Sequence, residues 1–234
     1  MASNQPNTDT TPFLSFLRQA AYLNRKGVAA LSHPDPRGVP VALTALRESL
    51  RILQQVSPHA RGQPPAPPMV FPTMGSSGRV PMPQDGAFYV YDHAKLFSPP
   101  TDEALARAQL PVLSAMVVFN TALAYHRYGM VSKSTKYFEA ALRLYPSCAQ
   151  LCIMHGGTNE DMLVLYMAVA NNMVLIQNEL VRLQDLQSTV TTLKRVMNLV
   201  SSRNQTMSIP NMDAVNEFQL NLMTVNALAP ASAA

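Results

Sequence analysis

The placement of proline most limits what this chain can fold into. Of its 19 prolines, ten lie between Pro58 and Pro100, whereas the 98 residues from Val112 to Ile209 contain only Pro146. Proline lacks an amide donor and its ring clashes with the preceding helical turn. The first region therefore cannot hold a long helix, and the second can be helical almost throughout. With 234 residues and 47% apolar side chains, the chain can bury roughly 70% of the surface its unfolded form exposes. A wholly disordered chain, a collagen and a disulfide-stapled mini-domain are excluded.

Helical periodicity fills in the rest. Thr11-Pro12 is a capping hydroxyl followed by proline at the first helical position, and Phe13, Phe16, Leu17, Ala20 and Leu23 recur at helical spacing up to about Leu31. Pro34 and Pro36 break the chain, because each pushes its predecessor out of the helical region. Leu43, Leu46, Leu50 and Leu53 then mark a second helix, so residues 12–56 read as a helical hairpin. Residues 1–11 read as a disordered start and 57–86 as a proline-rich loop, with Pro64-Pro65-Ala66-Pro67-Pro68 at its centre. Phe88-Tyr89-Val90-Tyr91 has strand character, and residues 87–100 are expected to lie extended against helices or to form a short hairpin with Leu96-Phe97. Thr101 is a candidate cap. Pro111 is expected to open a helix that Gly129 stops, and Ser132 to Leu144 to form the next, ended by Pro146. A strongly periodic antiparallel pair follows, one helix carrying Met162, Leu165, Val169, Met173, Ile176, Leu180 and Leu183, the other Leu186, Val190, Leu193, Met197 and Val200. Met212 to Ala227 reads as a short helix followed by extended chain, and 228–234 as a disordered tail. The expected class is all-α.

Only 14% of residues are charged, against about 25% in an ordinary soluble domain. The net charge of +4 is dispersed with no basic run longer than two, a weak footprint for nucleic acid, which needs clustered cations to displace counterions. Cys148 and Cys152 are the only cysteines, a usage suited to a reducing compartment. The polar first residues do not resemble a secretory signal. The apolar stretch Met162 to Ile176 is shorter than the ~20 residues of a membrane span. An intracellular, cytoplasmic location without membrane attachment is the expectation.

The residues from Phe119 to Pro146, FNTALAYHRYGMVSKSTKYFEAALRLYP, closely resemble the tetratricopeptide (TPR) repeat, in which small and aromatic residues recur where two antiparallel helices cross. The resemblance assigns repeat packing to Ala122, Tyr125, Gly129, Ser134, Phe138, Ala141 and Pro146. Ala122 and Ser134 are expected to permit close helix approach, Tyr125 and Phe138 to fill the interior, Gly129 to make the turn and Pro146 to close the unit. Thr121 departs from the usual leucine. NRKGVAAL near the start and NNMVLIQNELVRL later resemble degenerate flanking units, and Asn24, Asn120 and Asn172 occupy similar places in the three. About three TPR-like hairpins are expected across 12–56 and 101–227. The overall order, with its FxVYD segment, FNTALAYH, NNM and DAVNEFQLNL marks, is similar to the short TPR-like proteins of diatoms, which implies a fold and no activity.

TPR arrays commonly bind a peptide or helix in a groove lined by their inner helices. The resemblance places Met116, Phe119, Leu123, His126 and Arg127 in that groove, as the binding surface of a protein-interaction adaptor for a protein or peptide partner. The alternative for Phe119 and Leu123 is that the 86–98 segment or a neighbouring helix covers them. Repeats that grip chaperone C-termini carry lysine and asparagine where Phe119 and Leu123 stand, which argues against that ligand. Self-association as a homodimer and nucleic-acid binding are the competing roles. No cofactor or metal is expected: Cys148, Cys152 and His155 share a helix face but lack a fourth ligand. His155-Gly156-Gly157 and Gly75-Ser76-Ser77-Gly78 assemble no nucleophile, base and oxyanion set, so no enzymatic activity is expected. Arg61, Pro64 and Pro67 have the form read by polyproline-binding domains, or belong to a plain spacer.

Overall fold

The computed structural model describes residues 11–57, 75–79, 88–156, 159–202 and 209–228. The expectations for the N-terminal start, the C-terminal tail and the polyproline motif at 61–67 lie outside them. Among the described residues the chain is all-α: α1 (Pro12–Ser32), α2 (Gly38–Val56), α3 (Glu103–Ser132), α4 (Thr135–Gly156), α5 (Glu160–Glu179), α6 (Leu183–Ser202) and α7 (Ile209–Leu228), with two short strands, β1 (Gly75–Arg79) and β2 (His93–Leu96), between α2 and α3. The helices pair as hairpins α1/α2, α3/α4 and α5/α6. Successive hairpins pack through α2 on α3 and α4 on α5, and α7 returns onto α5.

Each hairpin forms because its apolar stripe needs a partner. In α1, Phe13, Leu17, Ala20, Val28 and Leu31 are buried, and in α2 Val39, Ala42, Leu46, Ile52 and Leu53 close over them. α3 lies at the centre, its buried residues running almost continuously from Val112 to Ala124. That helix is long and apolar enough to cross a membrane by length and composition, with a mean hydropathy of 1.4 over its best 18 residues, but 78% of that stretch is buried inside the fold. The 15-residue stretch at Met162–Ile176 is thus not the most span-like part of the chain.

Several local expectations are corrected by packing. Pro111 does not open a helix and Pro146 does not end one; both lie inside α3 and α4. A mid-helix proline costs about 3 kcal/mol, which at Pro146 is set against burial of Tyr145, Cys148 and Cys152 around it. Gly129 does not stop α3, which runs on to Ser132, and the left-handed residue is Lys133 at φ 50°. A Cβ at Gly129 would stand 2.7 Å from the Phe138 ring, so this glycine permits the close approach of α3 and α4. Its carbonyl serves the turn by accepting from the Lys133 and Ser134 amides. Ser134 thus sits in the turn, while Ala122, Phe138 and Ala141 are buried. Tyr125 is only half-buried, its ring stacked 6.5 Å from Tyr137. Thr11 and Thr101 do not cap through their side chains: Thr11 makes no such bond, and at α3 Asp102 accepts from the Leu105 amide at 2.7 Å.

The strand falls later than expected, on His93–Leu96, and its antiparallel partner β1 comes from within the stretch read as a loop. Gly75 lies opposite Leu96, Ser76 opposite Lys95 and Arg79 opposite His93.

Candidate functional site

The segment from Phe88 to Phe97 runs past α1, α3, α5 and α7, whose asparagines hold its backbone. An asparagine amide carries an acceptor and two donors in one plane, so it can pair with the N–H and C=O of a single extended residue as a neighbouring strand would. Three do so. Asn120 Oδ1 accepts from Lys95 N at 2.7 Å while its Nδ2 donates to Lys95 O at 2.7 Å. Asn172 accepts from Tyr91 N at 2.9 Å and donates to Tyr91 O at 3.0 Å. Asn221 accepts from Tyr89 N at 2.8 Å and donates to Tyr89 O at 2.6 Å.

Two more asparagines complete the set. Asn24 donates to Lys95 O at 2.9 Å and accepts from Asn120 Nδ2 at 2.9 Å. Asn171 donates to Tyr89 O at 3.1 Å and accepts from Asn221 Nδ2 at 2.7 Å. All five side chains are buried. The even spacing of residues 89, 91 and 95 follows from period-2 geometry, which turns every second residue's backbone edge the same way.

Side chains of the segment fill what the asparagines leave. Tyr91 packs edge-on against Phe119 with centroids 6.0 Å apart and against Phe218 at 5.8 Å. Ala94 and Phe97 are also buried. Lys95 is buried too, its Nζ donating to Tyr91 Oη at 2.8 Å and lying 5.1 Å above that ring. Burial lowers the Lys95 pKa to about 8, with the Asp161 charge opposing the shift, and burial raises the Tyr91 phenol well above its usual value.

The five positions assigned to an open groove are therefore not available to a partner in this state. Met116, Phe119 and Leu123 are 0% exposed, Arg127 1% and His126 2%. The chain's own segment covers Phe119, the alternative left open by the sequence. Arg127 faces elsewhere: its guanidinium donates to Leu31 O, to His33 O at 2.9 Å and to Pro34 O at 3.1 Å, capping the carbonyl end of α1. His126 lies between Phe138 and Tyr145, and burial holds its pKa down at about 3.

Asn24, Asn120 and Asn172 were marked by register alone; Asn171, Asn221, Tyr91 and Lys95 were missed. Signals for them existed in the paired Asn171-Asn172 and in the alternation from Phe88 to Tyr91. Both cysteines are buried free thiols, Cys148 donating to Ala115 O at 3.3 Å. Among the described residues no group of three or more His, Cys, Asp or Glu side chains is placed to hold a metal ion. No family model, curated protein or solved structure matches the chain.

Proposed function

We propose that this protein is a non-enzymatic interaction adaptor, a TPR-like array that binds extended polypeptide by its backbone and holds its own 88–97 segment in that seat. The observation that carries the reading is the set of three two-way asparagine pairings to Tyr89, Tyr91 and Lys95 of one segment. Backbone pairing is indifferent to side-chain identity, and sequence preference then comes from the pockets that take Tyr91, Ala94 and Phe97. A partner is thus an extended segment with an aromatic residue, a small residue three positions on and a second aromatic three further.

The test uses a fluorescent peptide spanning residues 87–98 and a double variant, Tyr91→Ala with Phe97→Ala, which weakens the seat in cis. Fluorescence anisotropy should show the peptide binding the double variant at least tenfold more tightly than the parent, and adding Asn172→Ala should abolish it. A helical double variant that ignores the peptide would falsify the reading. So would a double variant that loses helicity and is not restored by the peptide, since the segment would then be core alone.

A further inference from the structure

Beside the seated segment lies a cavity of about 240 Å³. Phe88 and Val90, the residues alternating with the clamped Tyr89 and Tyr91, line it together with Met130, Phe138, Leu175 and Ile176, and Asn178 adds a polar edge. His126 lines it from α3, while Lys133 and Glu179 contribute one charge of each sign.

The hydrogen bonding of His126 can be worked out from the segment inward. The Tyr91 amide and carbonyl fix which way the Asn172 side chain points, Oδ1 accepting and Nδ2 donating. Asn172 Nδ2 also donates to Tyr145 Oη at 3.3 Å. The buried Tyr145 hydroxyl has its own proton to place, and His126 Nδ1, 3.4 Å away, is the acceptor that stands beside it, so the tautomer that pairs both groups has Tyr145 donating and Nδ1 accepting. A neutral imidazole with Nδ1 accepting carries its proton on Nε2, and burial keeps this ring neutral. His126 lines the cavity, and this Nε2–H is the polar hydrogen its ring has left to present there. The apolar walls exclude a strongly hydrated ligand, and the opposed charges of Lys133 and Glu179 give no preference for a net charge.

We propose that this cavity binds a small neutral molecule with an apolar body of one or two rings and a single carbonyl acceptor, which takes the hydrogen bond from His126 Nε2. Because Phe88 and Val90 wall the site, the ligand binds the form in which the segment is seated, and its acceptor ends the hydrogen-bond chain that starts at the Tyr91 backbone. The inference stands apart from binding of a peptide in trans.

The test is a titration of the full chain with prodan, a neutral naphthalene ketone whose emission shifts to the blue in apolar surroundings. The expected result is a saturable, one-to-one blue shift. Leu175→Phe fills the cavity and should weaken binding at least tenfold with circular dichroism unchanged, and Val90→Phe does the same from the seated segment should the first variant misfold. His126→Phe keeps the ring and removes the donor, and should weaken binding several-fold. Absence of a saturable shift, or equal binding by the parent and the filled variants, overturns the proposal. Neither outcome bears on the peptide anisotropy experiment, which reads a different ligand in a different seat.

Discussion

Lys95 is the residue whose charge is most at odds with its surroundings. Its backbone is clamped by Asn24 and Asn120, and its ammonium is held in the interior on Tyr91 Oη. With a folded pKa of about 8 against about 10.4 for an unfolded lysine, the native state binds fewer protons than the unfolded state between those values. Stability from this group therefore rises as pH increases through 8 and is lowest below it. Urea denaturation should show the parent gaining about 1 kcal/mol more than Lys95→Met between pH 7 and pH 9. Identical slopes in the two proteins would show that the ammonium is solvated.

At the scale of elements, close approach of paired helices depends on single glycines. Gly129 lets the Phe138 ring lie where a Cβ would meet it at 2.7 Å, and Gly27 does the same for the Leu46 side chain at 2.6 Å. Gly129→Ala gains helix propensity of about 1 kcal/mol, but overpacking typically costs 1–3 kcal/mol, and two ring atoms lie within 2.8 Å. The expected net result is destabilisation by about 1 kcal/mol, read by thermal melting, with Gly129→Ala, Phe138→Leu restoring part of the loss. A more stable single variant would mean that α3 and α4 separate without penalty. Here the residue types were legible, since glycine and phenylalanine stood out in the TPR-like pattern. Their roles were not, because a glycine at a turn and a glycine under a ring look alike in one dimension.

For the whole molecule, the 88–97 segment changes how the array holds together. Stacked hairpins contact mainly their sequence neighbours, so their stability approximates a sum of local terms. The segment bonds to α1, α3, α5 and α7 at once, joining helices that are not consecutive in the chain. Asn172→Ala leaves the buried Tyr91 amide and carbonyl without their partner, at about 1–3 kcal/mol each. Urea unfolding of the parent should be a single transition by every probe, whereas in Asn172→Ala fluorophores placed on α1 and on α7 should report separate midpoints. Coincident midpoints in the variant would make the segment incidental to cooperativity.

Among the described residues, apolar periodicity and the spacing of prolines sufficed for the all-α class and for an extended stretch near 87–97, because both are local properties of neighbouring residues. Even the prolines misled where long-range packing outweighed a local penalty, as at Pro111 and Pro146. What covers Phe119, and what Asn24, Asn120, Asn172 and Asn221 bind, was settled only by tertiary structure. A buried asparagine's partner is chosen by whichever backbone groups the fold brings within 3 Å of it, and that meeting of residues up to 132 positions apart leaves no periodic trace along the chain.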